Sequence, residues 1–370
     1  MPAPAIIVMA ANSAWNIVNF RGALIEGLRG AGWRVVALAP DDGSADRLSA
    51  MGAEFLPIRI DSSGTSVIGD ARLLADYLAV LHRLRPQAFL GFTAKPNIYG
   101  SLAARLLGIR TINNISGLGT AFMNEGPLNW LVSRLYRLSL ARSARVFFQN
   151  PADLELFVTR GLVRPGQAER IPGSGIDLAR FRPSPATPPR GRPIRFLFVG
   201  RLLRDKGLVE YAEAARRLRP LWPQVEFSIL GFAGSDNRSA VPIAEIERWQ
   251  AEGIVSYLGD TDDVRPFLDD SDCIVLPSYR EGLPRSLLEA AAMARPMIAT
   301  DVPGCRDVVT NGESGFLCEA RSAESLASAM EAMLRLAPGE RAAMGSQARQ
   351  RVEREFDQAL VVDAYLRALR

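Results

Sequence analysis

Short apolar runs recur along the chain and alternate with longer stretches of helical period. Residues 5–10, 33–39, 55–60, 88–92, 111–113 and 146–149 read as strands. Near-continuous hydrophobicity is the mark of parallel strands covered on both faces. Helical stretches lie between them, at about 18–29, 46–51, 68–84, 98–107, 128–141 and 151–160. A segment with four prolines, 184–193, breaks the pattern and reads as a semi-rigid linker. The alternation then restarts, with strands 194–199, 225–230, 255–258, 273–276 and 297–300. Helices are expected near 208–218, 243–250 and 264–268, and then at 323–336, 339–353 and 360–369. This order predicts an α/β protein with two doubly wound parallel-sheet domains, residues 1–186 and 187–355. Right-handed crossovers bring the loops that follow the strands to one sheet edge, where such folds bind ligands.

The densest candidate chemistry lies in Val275-Leu-Pro-Ser-Tyr-Arg-Glu-Gly-Leu-Pro-Arg-Ser-Leu-Leu-Glu-Ala290. Pro284 predicts the first helical position, because proline has a preset φ and no N–H to leave unpaired. Glu281 then sits in a strand-to-helix loop and Glu289 in the second helical turn. The N–H groups of Arg285 and Ser286 face that loop and favour an anion. Ionised carboxylates accept from hydroxyls. Two of them around an anion site suit a nucleotide-sugar, with the sugar on one side of a diphosphate and the ribose on the other. Ordinary surface charges would have the same spacing. Glu289, however, stands among Leu287, Leu288 and alanines, where a carboxylate needs a partner. Gly200-Arg201 and Lys206-Gly207 lie between another strand end and a helix. The two cations suit a diphosphate, Arg as a fork and Lys as a point charge. The plainer alternative is Asp205 as a helix cap with both cations solvated.

These segments resemble the family-4 retaining glycosyltransferases of GT-B fold. Glu281-Gly-Leu-Pro and Leu-Leu-Glu289-Ala look like that family's Glu-x7-Glu motif. The resemblance continues in Phe198-Val-Gly-Arg-Leu-Leu-Arg-Asp-Lys-Gly207, in Tyr257-Leu-Gly and in Asp301-Val-Pro-Gly-Cys-Arg-Asp-Val-Val309. The first half is similar more loosely. There Phe92-Thr-Ala-Lys-Pro-Asn-Ile-Tyr-Gly100 and Ser116-Gly-Leu-Gly119 resemble transferases acting on undecaprenyl-diphosphate-linked sugars. The resemblance implies two Rossmann-like domains facing across a cleft, with a last helix, about 356–370, packed back on the first. It implies transfer from a nucleoside-diphosphate sugar, such as UDP-GalNAc, UDP-GlcNAc or UDP-Gal, to a lipid-linked saccharide in cell-surface glycan synthesis. Configuration would be retained, with no metal and no cofactor. Arg201 and Lys206 would hold the diphosphate and stabilise its departure. Glu281 would hold sugar hydroxyls and Glu289 the ribose. Gly200, Gly282, Leu283, Pro284 and Arg285 complete the expected donor side. Asn12, Ser13, Lys95, Gly117, Leu118 and Gly119 form the expected acceptor side. Many relatives have a histidine there. This chain does not, so Gly117 and Gly119 either admit a close backbone approach or form a plain turn.

Composition narrows the alternatives. With 370 residues, two domains are expected. The single histidine, His82, excludes a His-rich metal site and a histidine-based triad. Cys273, Cys305 and Cys318 have neither zinc nor disulfide spacing, which fits a reducing cytoplasm. No run of about 18 apolar residues and no export signal is visible. The net charge of +4 permits anionic partners, but no basic–aromatic nucleic-acid module is present.

The helix from Leu128 to Ala141 is the candidate membrane contact. Arg134, Arg137 and Arg142 fall in an arc of about 140° at 100° per residue. Leu128, Leu131, Val132 and Leu135 fill the adjoining arc. Leu118 and Phe122 just before it are expected on an exposed loop. Such a helix suits anionic headgroups and would place the protein on the inner face of the cytoplasmic membrane. The same pattern fits an ordinary helix with a core side and solvated arginines. Two other readings of the whole chain remain. One is a nucleotide-sugar epimerase of the same fold, poorly equipped with one histidine. The other is a non-enzymatic sugar-nucleotide-binding protein.

Overall fold

The structure, a computed structural model, describes residues 4–61, 66–118, 126–184, 192–234, 237 and 239–370. It divides into two units, Met1–Ser174 with Gln358–Arg370, and Gly175–Asp357.

The sheet of the first unit contains β1 (Ile6–Ala10), β2 (Arg34–Ala39), β3 (Glu54–Pro57), β4 (Ala88–Gly91), β5 (Arg110–Ile115), β6 (Arg145–Phe148) and β7 (Ala168–Arg170). All neighbours are parallel, in the order β3-β2-β1-β4-β5-β6-β7. Its helices are α1 (Ala14–Gly30), α2 (Ala45–Ala50), α3 (Val67–Leu84), α4 (Ser101–Leu106), α5 (Pro127–Leu140) and α6 (Pro151–Thr159). A π-helical turn, Pro96–Gly100, precedes α4. The second unit has β8 (Arg195–Val199), β9 (Glu226–Leu230), β10 (Ser256–Tyr257), β11 (Cys273–Leu276), β12 (Met297–Thr300) and β13 (Gly315–Cys318). They are again parallel, in the order β10-β9-β8-β11-β12-β13. Around them lie α7 (Leu208–Leu218), α8 (Ile243–Ala251), α9 (Arg265–Asp270), α10 (Arg285–Ala292), α11 (Ala323–Arg335) and α12 (Pro338–Glu355).

The central strands are apolar on both faces because helices cover both. Val8, Met9, Phe198, Val275 and Ile298 are all buried, and each such side chain contributes roughly 1.5–3 kcal/mol by leaving water. The closing helix α13 (Gln358–Leu369) belongs to the first unit. Its Val361, Ala364, Tyr365 and Ala368 join the core of Ile7, Met9, Leu90 and Phe147.

The division falls at Ser174/Gly175, ahead of the proline-rich segment in which residue 186 was the expected boundary. Residues 185–191 lie outside the described ones. The reason is backbone pairing and burial. Ile176 N–H donates to the Phe356 carbonyl at 2.9 Å, and Ile176 and Phe181 are buried in the second core. Strands β7 and β13 were not expected. Ala168-Glu-Arg170 has no apolar run, and β13 opens on Gly315; both are edge strands defined by the neighbour they pair with.

Candidate functional site

In each sheet the strand order reverses direction at one place, between β1 and β4 and between β8 and β11. Loops diverge there and leave a crevice at the carboxyl ends of the strands. The expected donor residues lie on the loops after β8 and β11, which the sheet makes neighbours.

Gly200 and Arg201 follow β8 directly. Arg201 is exposed, and its guanidinium has no partner among the described residues. A short 3₁₀ turn, Arg204–Lys206, leads to Gly207 and α7. Gly207 has φ +72°, and a Cβ there would stand 2.1 Å from the Pro277 carbonyl oxygen. Only glycine lets the two loops close on each other at this point. The Tyr279 N–H donates to the Asp205 carbonyl at 2.9 Å and joins them again.

This packing brings the Lys206 ammonium onto Oε1 of Glu281. The Ser278 hydroxyl donates to the same oxygen at 2.7 Å, and the Thr300 hydroxyl donates to the Ser278 carbonyl. Glu281 N–H donates to the Pro303 carbonyl at 3.3 Å. Gly304, at φ +84°, would carry a Cβ only 2.6 Å from the Glu281 carbonyl oxygen. The carboxylate is thus fixed from three loops. Beside it, burial and the nearby Glu281 push the Cys305 thiol well up, so it stays protonated. Tyr279 donates through its hydroxyl to Glu210 at 2.6 Å, and the Arg321 guanidinium lies 4.7 Å over its ring.

Helix α10 begins at Arg285, with Pro284 as its extended N-cap rather than its first helical residue. Proline supplies the entry angle but no capping side chain. Glu289 is buried and accepts from Arg285 Nε at 2.8 Å. Burial raises its carboxyl above the ordinary range, opposed by Arg285 and more weakly by Arg180. Gly282 and Leu283 bridge Glu281 and this helix, with Gly282 buried.

The acceptor-side expectations fare unevenly. Asn12 lies in the short link after β1. Ser13 is the N-cap of α1, accepting from the Asn16 N–H at 3.1 Å, so the helix starts well before residue 18. Lys95 follows β4, and its ammonium is paired with Asp70 at 2.6 Å. Gly117 has φ +142°. Leu118, expected on an exposed loop, is 8% exposed and packs with Tyr136 and Leu140 in an apolar cluster. Its side chain finds enough apolar surface on α5 to bury itself. Gly119 and Phe122 lie outside the described residues. The loop after β5 rests on Asn114, whose Nδ2 donates to the Tyr365 hydroxyl of α13 at 3.1 Å. Asparagines in a strand carried no signal of that role in the sequence.

Helix α5 turns apolar residues outward. Leu128, Leu131 and Leu138 are about half exposed and Trp130 is 62% exposed. The Arg134 guanidinium lies 5.2 Å over the Trp130 ring. Arg137 donates instead to the carbonyls of Arg160 and Gly161, at 2.7 and 3.1 Å, and Arg145 pairs with Glu169 at 3.6 Å. Among the described residues no helix is long and apolar enough to cross a membrane.

Two family models match the chain: the glycosyl transferase 4-like domain over residues 18–173 and glycosyl transferases group 1 over 182–351. A Campylobacter jejuni relative is the N,N'-diacetylbacillosaminyl-diphospho-undecaprenol alpha-1,3-N-acetylgalactosaminyltransferase. It is 25% identical over 335 residues, 86% of each chain. An Escherichia coli relative is the UDP-Gal:alpha-D-GlcNAc-diphosphoundecaprenol alpha-1,3-galactosyltransferase, 26% identical over 72% of this chain and 70% of its own. Among solved structures, Anabaena HepE in complex with UDP and glucose superposes with a TM-score of 0.81, at 18% identity and 99% coverage of both chains. Both halves match the family models, and the whole chain has the fold of these transferases. The chain therefore belongs to the group 1, family-4 glycosyltransferases, which have the GT-B fold, retain configuration and work without a metal ion.

Proposed function

We propose that the chain transfers a sugar from a UDP-sugar to an undecaprenyl-diphosphate-linked saccharide at a membrane surface. The observation that carries the donor half is the meeting of the Lys206 ammonium and the Glu281 carboxylate at the carboxyl ends of β8 and β11. A donor offers both complementary partners at once, a diphosphate for the cation and sugar hydroxyls for the carboxylate. Arg201 adds a second cation on the same loop, free to form a bidentate phosphate contact. Glu289 takes the ribose hydroxyls, and the first N–H groups of α10 face the diphosphate. Arg201 and Lys206 stabilise the charge that develops on the leaving diphosphate, so departure needs no proton transfer to it. Once the bond to the diphosphate has broken, the acceptor hydroxyl attacks on the vacated face and gives its proton to a diphosphate oxygen, which keeps the configuration.

The names of the Campylobacter and Escherichia relatives support the lipid-linked acceptor, and those of the Escherichia relative and HepE support UDP. The membrane reading is supported by α5, where outward leucines and Trp130 lie beside Arg134. Such a helix lies in the interface without spanning it.

Isothermal titration with UDP, GDP and CMP tests the donor, and transfer from UDP-GlcNAc, UDP-GalNAc and UDP-Gal to a polyprenyl-diphosphate-linked N-acetylhexosamine tests the reaction. UDP is expected to bind, and one of the three sugars to be transferred. Tighter GDP binding would overturn the donor assignment. Co-sedimentation with anionic vesicles tests the membrane claim. Equal recovery in the supernatant with anionic and neutral vesicles would remove it and leave the transferase assignment in place.

A further inference from the structure

Helix α10 opens on an ion pair that runs against its own dipole. Arg285 is the first helical residue, Glu289 stands one turn later, and the first turn holds no acidic residue. A pair that stabilises a helix has the acid on the N-terminal side and the base on the C-terminal side. Such pairs sit on the helix surface, whereas Glu289 is buried among Leu287, Leu288 and Ala290, which are buried too. A buried carboxylate is costly without a partner. The pair therefore serves the acid rather than the helix.

Arg285 Nε donates to Glu289 Oε1 at 2.8 Å. Among the described residues no hydrogen-bond donor reaches Oε2, so one oxygen is fixed and the other remains for a ligand. The remaining charges around the carboxylate stand back. Burial raises the carboxyl, Arg285 opposes that rise, and the exposed Arg180 and Asp263 ahead of α9 act on it more weakly. Asp263 is itself taken up by Arg265, at 2.8 and 2.7 Å. From α12, Arg349 donates to the Ala292 carbonyl at the far end of α10 and to Glu353. Strands β11 and β12, against which α10 packs, carry no charged residue. Sequence places Arg285 on the donor side, yet in the structure its Nε turns to Glu289.

We propose that Arg285 is a positioning residue for the ribose of the donor: it holds Oε1 of Glu289 so that Oε2 accepts from a ribose hydroxyl, and the site thereby selects ribonucleotide over deoxyribonucleotide donors. The proposal rests on the reading of Glu289 as the ribose acceptor. An ionised carboxylate only accepts, and its bond to a hydroxyl is charge-assisted; a protonated one is a weaker acceptor. A nucleotide that lacks the hydroxyl leaves the carboxylate oxygen unpaired in a buried place, where discrimination is large.

The test is the ratio of the affinity for UDP to those for 2′-deoxy-UDP and 3′-deoxy-UDP, by isothermal titration from neutral to acidic pH. All three share one base and one diphosphate, so the titration of the nucleotide cancels in the ratio. The native chain should prefer UDP over at least one deoxy form by about ten-fold or more at neutral pH, the loss of one charge-assisted bond. That preference should fade on acidification, as Glu289 takes up a proton. Arg285→Gln should reduce the preference several-fold and move its loss to higher pH, because the carboxyl rises further without the guanidinium. Arg285→Met keeps the aliphatic stem and serves if the glutamine variant loses stability. A native ratio with a native pH profile in the variant that folds overturns the proposal. So does a loss of affinity that falls equally on UDP and the deoxy forms, since that would put the guanidinium on the diphosphate. A native chain that binds UDP and both deoxy forms equally, or Glu289→Gln with the native preference, removes the ribose reading itself, and the proposal with it.

Discussion

The Lys206 ammonium donates to Oε1 of Glu281, a contact between residues 75 apart in sequence with side chains only 20% and 12% exposed. In this arrangement the proposed phosphate cation is neutralised by the carboxylate proposed to meet the sugar. A donor must separate the two, giving the cation a phosphate and the carboxylate a hydroxyl. Glu281→Gln releases Lys206, so UDP should bind at least as tightly as to the native chain while turnover falls by orders of magnitude. Lys206→Ala should weaken UDP by about 1.5–3 kcal/mol. It also removes the contact between the Lys206 ammonium and the part-buried Glu281 carboxylate, so the thermal midpoint should drop. Calorimetric UDP affinities equal to the native value in both variants would remove the donor site from this pair.

Arg201 offers a cleaner measurement, because it is exposed and has no partner among the described residues. Arg201→Ala should therefore leave the thermal midpoint unchanged. UDP affinity should fall by about ten-fold or more, the loss of a charge-assisted contact. Arg201→Lys should recover only part of it, since a point charge replaces a fork. A native UDP affinity in Arg201→Ala would place the second phosphate contact elsewhere.

Glu289 gives a pH-dependent signature. Burial raises its carboxyl in the folded state above an unfolded value of about 4.3. A raised carboxyl contributes full stability below the unfolded value and loses it as pH rises through the folded one. Glu289→Gln has no such loss. The thermal midpoint of the variant relative to the native chain should therefore climb as pH rises above about 4, the ordinary carboxylate value, while its UDP affinity at neutral pH declines. A midpoint difference that is flat across that range would mean that Glu289 does not titrate as its burial implies.

Gly304→Ala should damage the site through the backbone. The added Cβ stands 2.6 Å from the Glu281 carbonyl oxygen, at φ +84°. The left-handed conformation alone costs a non-glycine residue about 1–3 kcal/mol. Chemical denaturation should show a loss of that size or more, together with a fall in turnover larger than the fall in UDP affinity. An alanine variant with native stability would mean that the Val302–Gly304 turn relaxes without disturbing Glu281.

Much of this protein was legible in one dimension. Buried parallel strands must be apolar on both faces, so β1, β8, β11 and β12 announced themselves as short hydrophobic runs. Their alternation with amphipathic helices specified two doubly wound sheets. Glu281 and Glu289 could be placed in a loop and in a second helical turn because the end of β11 and Pro284 bracket that loop locally. Edge strands β7 and β13 could not be read, since pairing rather than composition makes them strands. The pairing of Lys206 with Glu281, the support of Glu281 by Ser278, Thr300 and Gly304, and the pairing of Lys95 with Asp70 were decided only by the tertiary structure. Each depends on which strands lie side by side. Strand order is a property of the packed sheet, and residues far apart in the chain become neighbours only when that order brings their loops to the same edge.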